Sequence, residues 1–201
     1  MSTDRAPYVP TLAKFLATAA AVACAAATHA TEIHTVAFVA STDLQPFVYG
    51  KTFVIGEIND GNVSDAPPYN GFAANGIPTG RITFTFAQTW DLTTLTIWND
   101  INVWNEGVRS FKLSFEDAAG AALGTTATYS AVSQYAPQSY SFATVAGVKR
   151  VHMDVLSSNT QIELREVTFN GTAAAVPEPG AWALMGLGLV GVAAAVRRRQ
   201  G

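Results

Sequence analysis

Between residues 31 and 175 apolar and polar side chains alternate with a period of two, the pattern of strands with one buried face. In Arg81-Ile82-Thr83-Phe84-Thr85-Phe86, Ile82, Phe84 and Phe86 share one face. Phe111, Leu113 and Phe115 alternate with Lys112 and Ser114, and Val151, Met153 and Val155 alternate with His152 and Asp154. Tyr140 and Phe142 sit between serines; Thr93-Leu95-Ile97, Ile162-Leu164, Ile33-His34-Thr35-Val36 and Phe53-Val54-Ile55 add shorter candidates. Breaks rich in Gly, Asn and Pro separate the runs, and no amphipathic helix interrupts them. The pattern predicts an all-β jelly-roll β-sandwich of about eight strands. Its last strand carries a change of phase. Ile162 and Leu164 share a parity that Val167 and Phe169 do not, so one extra residue, a bulge near Arg165-Glu166, is expected. Trp98 has the opposite parity to Leu95 and Ile97 and is placed outside the main core, whereas Trp90 and the phenylalanines are placed in it.

The two ends break the alternation. Residues 15–28 are an apolar run behind Arg5 and Lys14, followed by Thr28-His29-Ala30 with small residues where a signal peptidase cuts. Residues 1–30 therefore read as a signal peptide with its apolar helix. Cys24 lies inside that run and would leave with it, after which no cysteine remains. At the other end Val176-Pro177-Glu178-Pro179-Gly180 precedes an uncharged stretch, 180–196, and then Arg197, Arg198 and Arg199. Seventeen residues make a helix of about 26 Å, enough for a thin bilayer, and the arginines set its C-terminus in the cytoplasm. Residues 176–201 thus resemble the PEP-CTERM sorting signal. That resemblance implies a Gram-negative bacterium making exopolysaccharide, and export across the inner membrane. It further implies recognition by an exosortase, with release at or near Pro-Glu-Pro to the cell surface or matrix. Val176, Pro177, Glu178, Pro179 and the three arginines are then processing determinants. A plain single-pass anchor is the alternative.

Composition narrows what the middle can do. The chain of 201 residues is 49% hydrophobic and 13% charged, too apolar for intrinsic disorder. Residues 31–175 hold seven basic against thirteen acidic side chains, a net charge of −6, which speaks against nucleic acid and other polyanions. A neutral glycan or a cation fits better. With two histidines, no cysteine and no nucleophile–base motif in this region, catalysis is not expected. Glu106, Glu116 and Asp117 are the acids a glycosidase pair would draw on, but nothing in the sequence fixes their spacing.

Two places carry candidate chemistry. Glu57-Ile58-Asn59-Asp60-Gly61-Asn62-Val63-Ser64-Asp65 is dense in oxygen donors suited to calcium, without EF-hand spacing; a plain Asn-Asp-Gly turn explains it equally. The expected bulge would aim Glu166 inward, where it needs a partner: a cation, or Arg150 or Lys149 as a salt bridge. A sugar site needs an aromatic platform beside polar groups, and Trp104-Asn105 with Tyr69 and Arg109 is the candidate. The alternative for the tryptophans is packing under the rim of the sandwich.

The order of these features resembles the discoidin, or coagulation-factor 5/8 C-type, domain, which includes a family of carbohydrate-binding modules. The resemblance rests on the Asn-Asp-Gly-Asn loop, Leu95-Thr96-Ile97-Trp98-Asn99, Gly107-Val108-Arg109-Ser110-Phe111, Val148-Lys149-Arg150-Val151 and Leu164-Arg165-Glu166-Val167-Thr168-Phe169. It implies a galactose-binding-like jelly roll with a structural calcium near the termini, mapping onto Asp60, Asn62, Ser64 and Glu166. The sequence departs from the family pattern at Val63-Ser64-Asp65-Ala66, where a threonine and a tryptophan are usual. Two roles follow for the exported middle: a module binding polysaccharide, or a structural matrix protein acting through protein contacts. Ice binding would need a flat threonine array, and only Thr83 and Thr85 offer one.

Overall fold

The computed structural model describes residues 31–33, 38–101 and 106–174, with eleven strands among them. They are β1 (Thr31–Ile33), β2 (Phe38–Ser41), β3 (Val48–Tyr49), β4 (Lys51–Thr52), β5 (Phe72–Ala73) and β6 (Gly80–Asn99). Then come β7 (Gly107–Glu116), β8 (Ala122–Thr125), β9 (Tyr129–Ser130), β10 (Gln138–Asn159) and β11 (Glu163–Ala173). The signal peptide, His34 and the C-terminal segment from 175 lie outside the described residues. Among the described residues no helix is long and apolar enough to cross a membrane.

All pairing is antiparallel. The main sheet runs β1-β11-β6-β10-β7-β8, with β2 also on β6, β5 on β11 and β9 on β7; β3 and β4 form a separate hairpin. Two long strands make this one sheet into a sandwich. The first part of β6 pairs with β2 and the later part of β10 (Phe84 with Val151), while its second part pairs with β11 and the beginning of β10 (Ile97 with Val167 and Gln138). At the corner the β6–β10 register shifts three times between Ser141 and Arg150, the bulge device by which a strand leaves one layer for the other. Gly147, at φ +71°, sits at this corner, and its N–H donates to Asp91 Oδ1 at 2.8 Å. The layers meet on aromatic rings: Phe84 and Phe86 of β6 stand 5.2 and 5.4 Å, edge to face, from Phe169 of β11, with Phe38 against all three.

Runs that look like separate strands in the sequence are thus halves of β6 and β10. The parity of buried residues changes between Leu92 and Leu95 in β6 and between Val148 and Val151 in β10, so alternation breaks where the backbone does not. Two expectations need correction. Phe53–Ile55 is not a strand: β4 ends at Thr52 and a 3-10 helix covers Ile55–Asn59, burying Ile58. Nor do all the large aromatics reach the core, since Phe47, Phe142 and Trp90 are half-buried at its margin. Trp98 is half-buried, in keeping with its parity.

Candidate binding site at the loop end of the sandwich

The last strand organises the site. Between Leu164, opposite Asn99, and Glu166, opposite Trp98, the β11–β6 register slips by one residue, and that residue is Arg165. The slip buries two charged neighbours in succession, Arg165 and Glu166, each 1% exposed. Arg165 Nε donates to Asp100 O at 2.8 Å, one Nη to Val63 O at 3.0 Å and the other to Tyr135 O. Its guanidinium lies 5.2 Å from the Tyr135 ring. One side chain therefore ties together three loops that are far apart in sequence. Gly71 explains how these loops approach so closely. At φ +126° a Cβ there would stand 2.4 Å from Leu164 O and 2.8 Å from Arg165 Cα, so only glycine fits against the bulge.

Glu166 faces the Asn59-Asp60-Gly61 turn. Gly61 N–H donates to Oε2 at 3.3 Å, and Oε1 is buried without a hydrogen-bond partner. Burial, chiefly, and the Asp60 charge push its pKa up to about 8, so at neutral pH it holds a proton unless a cation displaces it. The salt-bridge alternatives do not occur: Arg150 pairs with Glu116, and Lys149 Nζ donates to Ala87 O. Beside Glu166, Asn70 Nδ2 is ringed by oxygens: Glu57 O at 3.0 Å, Asp60 Oδ1 and Oδ2 at 3.1 and 3.2 Å, and Asn62 O at 3.5 Å. Asn62 Oδ1 and Ser64 Oγ instead accept from the N–H groups two residues onward, Ser64 and Ala66. Among the described residues no three His, Cys, Asp or Glu side chains gather as a metal site. A hard cation here would draw on two carboxylates, Asp60 and Glu166, and on backbone carbonyls, a donor set that suits calcium. The orphaned Glu166 oxygen is the feature that fits it.

Under the β3–β4 hairpin lies a cavity of about 240 Å³. The β3–β4 hairpin and its flanks supply Phe47, Tyr49 and Phe53, and Tyr49 is 78% exposed at the lip. Ile101, Glu106, Gln161 and Glu163 supply much of the opposite wall. Glu163 is buried; Gln161 Nε2 donates to its Oε1 at 2.8 Å and Ile101 N–H to its Oε2 at 3.2 Å. Burial, and a hydrogen bond with the Glu106 carboxyl, push Glu163 up to about 8. The wall is held from behind by Asn99, which exchanges hydrogen bonds with Val108 and donates to Val132 O. Ser133 Oγ, donating to Asp100 Oδ2 or Glu106 O, closes the same frame.

Trp104 and Asn105 lie outside the described residues, but Ile101 and Glu106, which bracket the segment 102–105, both line the cavity. Tyr69 packs with Phe47 around the buried Phe53, Ala73 and Ile101 cluster under the hairpin. Arg109, on β7, is not in the lining, and its Nε is buried without a partner. Sequence reasoning misses Phe47, Tyr49, Gln161 and Glu163. Tyr49 carried one usable signal, an aromatic beside the turn glycine Gly50 (φ +70°) in a two-residue-strand hairpin. Glu163 carried none, because its position depends on the bulge. The acids singled out for a glycosidase pair are dispersed. Glu116 binds Arg150 and His152, Asp117 Oδ1 accepts from Ala119 and Ala121, and only Glu106 meets another acid. Thr83 is no free element of a threonine array, since its hydroxyl meets His152 Nδ1 at 2.9 Å.

The architecture is a jelly roll, a fold shared with family 32 carbohydrate-binding modules and F5/8 type C domains. Three solved structures illustrate the likeness. The family 32 module of C. perfringens NanJ, in complex with galactose, superposes with a TM-score of 0.58 at 10% identity, covering 71% of this chain and 99% of that one. CpGH89CBM32-5 from Clostridium perfringens, in complex with GalNAc-β-1,3-galactose, gives 0.58 at 11% identity over 71% and 100%. An F5/8 type C domain from Bacteroides fragilis gives 0.54 at 11% identity over 72% and 97%. Residues 175–199 match the PEP-CTERM protein-sorting motif, which implies export and exosortase processing. No curated protein sequence matches the chain.

Proposed function

We propose that this protein is a non-catalytic carbohydrate-binding module, exported and then sorted by an exosortase to the cell surface or extracellular matrix, where it holds exopolysaccharide. The observation that carries this is Tyr49, a large aromatic left exposed at the mouth of a cavity whose other wall is polar. Aromatic rings at such a lip stack on the apolar face of a sugar while polar groups within fix its hydroxyls. The fold shared with galactose-complexed modules supports this role. Calcium, held by Asp60, Glu166 and the carbonyl oxygens of Glu57 and Asn62, would neutralise the buried carboxylate and stiffen the turn that carries Asp60.

Affinity electrophoresis through gels containing soluble polysaccharides tests the binding role. At least one matrix glycan should retard the purified protein. Tyr49→Ala should weaken that binding by about 1–2 kcal/mol, the loss of one stacked ring. Absence of retardation by every glycan, together with self-association of the protein, would favour the structural matrix role instead.

A further inference from the structure

The cavity is chemically lopsided. Its described lining contains two carboxyl groups and no lysine or arginine. The one amide there, Gln161, is already spent: Nε2 donates to Glu163, and Oε1 accepts from Gly76 N–H at 3.1 Å. Glu163 has each oxygen fixed by one donor, from Gln161 and from Ile101, and it shares the lining with the Glu106 carboxyl. Two carboxylates in one lining, against an aromatic wall, repel each other, and a positive charge placed between them relieves that repulsion. A neutral sugar hydroxyl would bring one donor and no charge. An ammonium group brings three donors and a full positive charge, enough to bridge and neutralise both carboxylates.

We propose that the cavity selects a glycan unit bearing a free primary amine, a de-N-acetylated amino sugar, whose ammonium is held between Glu106 and Glu163 while its ring stacks on Tyr49. The selection rests on the cavity being a carbohydrate site at all, as proposed above. An N-acetyl group in the same position would put an uncharged amide against two acids and leave them without a counter-charge. The net charge of −6 over residues 31–175 adds long-range attraction for a cationic chain, but without selectivity between sites.

Calorimetric titration of the purified full chain at pH 6.5 tests this with three probes of equal length: glucosamine oligomers, N-acetylglucosamine oligomers and neutral galactose oligomers. Glucosamine oligomers should bind at least ten-fold more tightly than their acetylated counterparts. Glu163→Gln and Glu106→Gln should each remove that preference, whereas Asp43→Asn, an exposed acid remote from the lining, should keep it. Glu106 is half-buried, so its variant carries the test should Glu163→Gln fail to fold. Equal affinity for the amino and acetylated forms, or tighter binding of a neutral sugar, would overturn amine selection while leaving the carbohydrate role intact. An equal loss in Asp43→Asn and Glu106→Gln would reduce the effect to general charge attraction and overturn it too. Binding of none of the probes, with no retardation in polysaccharide gels, would remove the carbohydrate role and the selection with it.

Discussion

Replacing Arg165 with methionine should cost the protein about 3–5 kcal/mol of stability, the range for stripping a buried charged group from its partners. Methionine fills most of the volume and removes the desolvation cost of the guanidinium, so packing alone would predict a mild effect. The partners decide otherwise. Asp100 O, Val63 O and Tyr135 O each lose a charge-assisted donor, and Asp100 is fully buried, with no water to replace it. Those carbonyls belong to the oxygen-rich turn, the cavity wall and the segment before β10. Losing the tie therefore loosens the site as well as the fold. Arg165→Lys should not rescue it, since an ammonium cannot fork to three carbonyls in different directions. Urea unfolding measures this directly; a loss below about 1 kcal/mol would mean that the loops are held by other contacts.

The second large effect is a dependence of stability on pH that calcium alters. Glu163 and Glu166 both have pKa values raised to about 8 by burial, with Glu106 and Asp60 respectively adding to the shift. In the unfolded chain they ionise near the ordinary glutamate value of 4.5. The folded protein thus binds more protons than the unfolded one between about pH 4.5 and 8, and stability must fall as pH rises through that window. In a chelator the melting temperature should be highest near pH 5 and lower by several degrees at pH 8. At the proposed site calcium would take the place of the proton on Glu166, so it should stabilise more at pH 8 than at pH 5. The expected gain is about 2.7 kcal/mol when calcium is a hundred-fold above its Kd. Glu166→Gln should abolish the calcium response and flatten part of the pH dependence. A calcium shift equal at both pH values, or none at all, would remove Glu166 as a ligand.

Alternation of side chains is a local property, and it locates the core strands because each buried face repeats every second residue. It marks Ile82–Phe86, Phe111–Phe115 and Val151–Val155 directly, and the phase change at Arg165-Glu166 marks the bulge. It cannot show that β6 and β10 each continue through a corner, because a register shift interrupts the period without ending the strand. Nor can it show what a bulge does with the residues it turns. The phase change points to Glu166 as the residue turned inward and leaves without a role Arg165, whose burial follows only from three carbonyls brought together by distant loops. The turn at Asp60 and the closing Glu166 are legible as a pair because both are acids in oxygen-rich or phase-shifted contexts. The Glu106–Glu163 pair is not, since 57 residues separate them and neither lies in a motif.

Amide NMR of the purified protein, recorded while an oligosaccharide cut from a gel-retarding polysaccharide is added, tests most directly whether the hairpin cavity is where glycan docks. The signals of Tyr49, Ile101, Gln161 and Glu163 should move first and saturate together, with the opposite sheet around Lys112 and Asp154 unchanged. Saturable changes centred elsewhere on the sandwich, with those four signals still, would contradict the account.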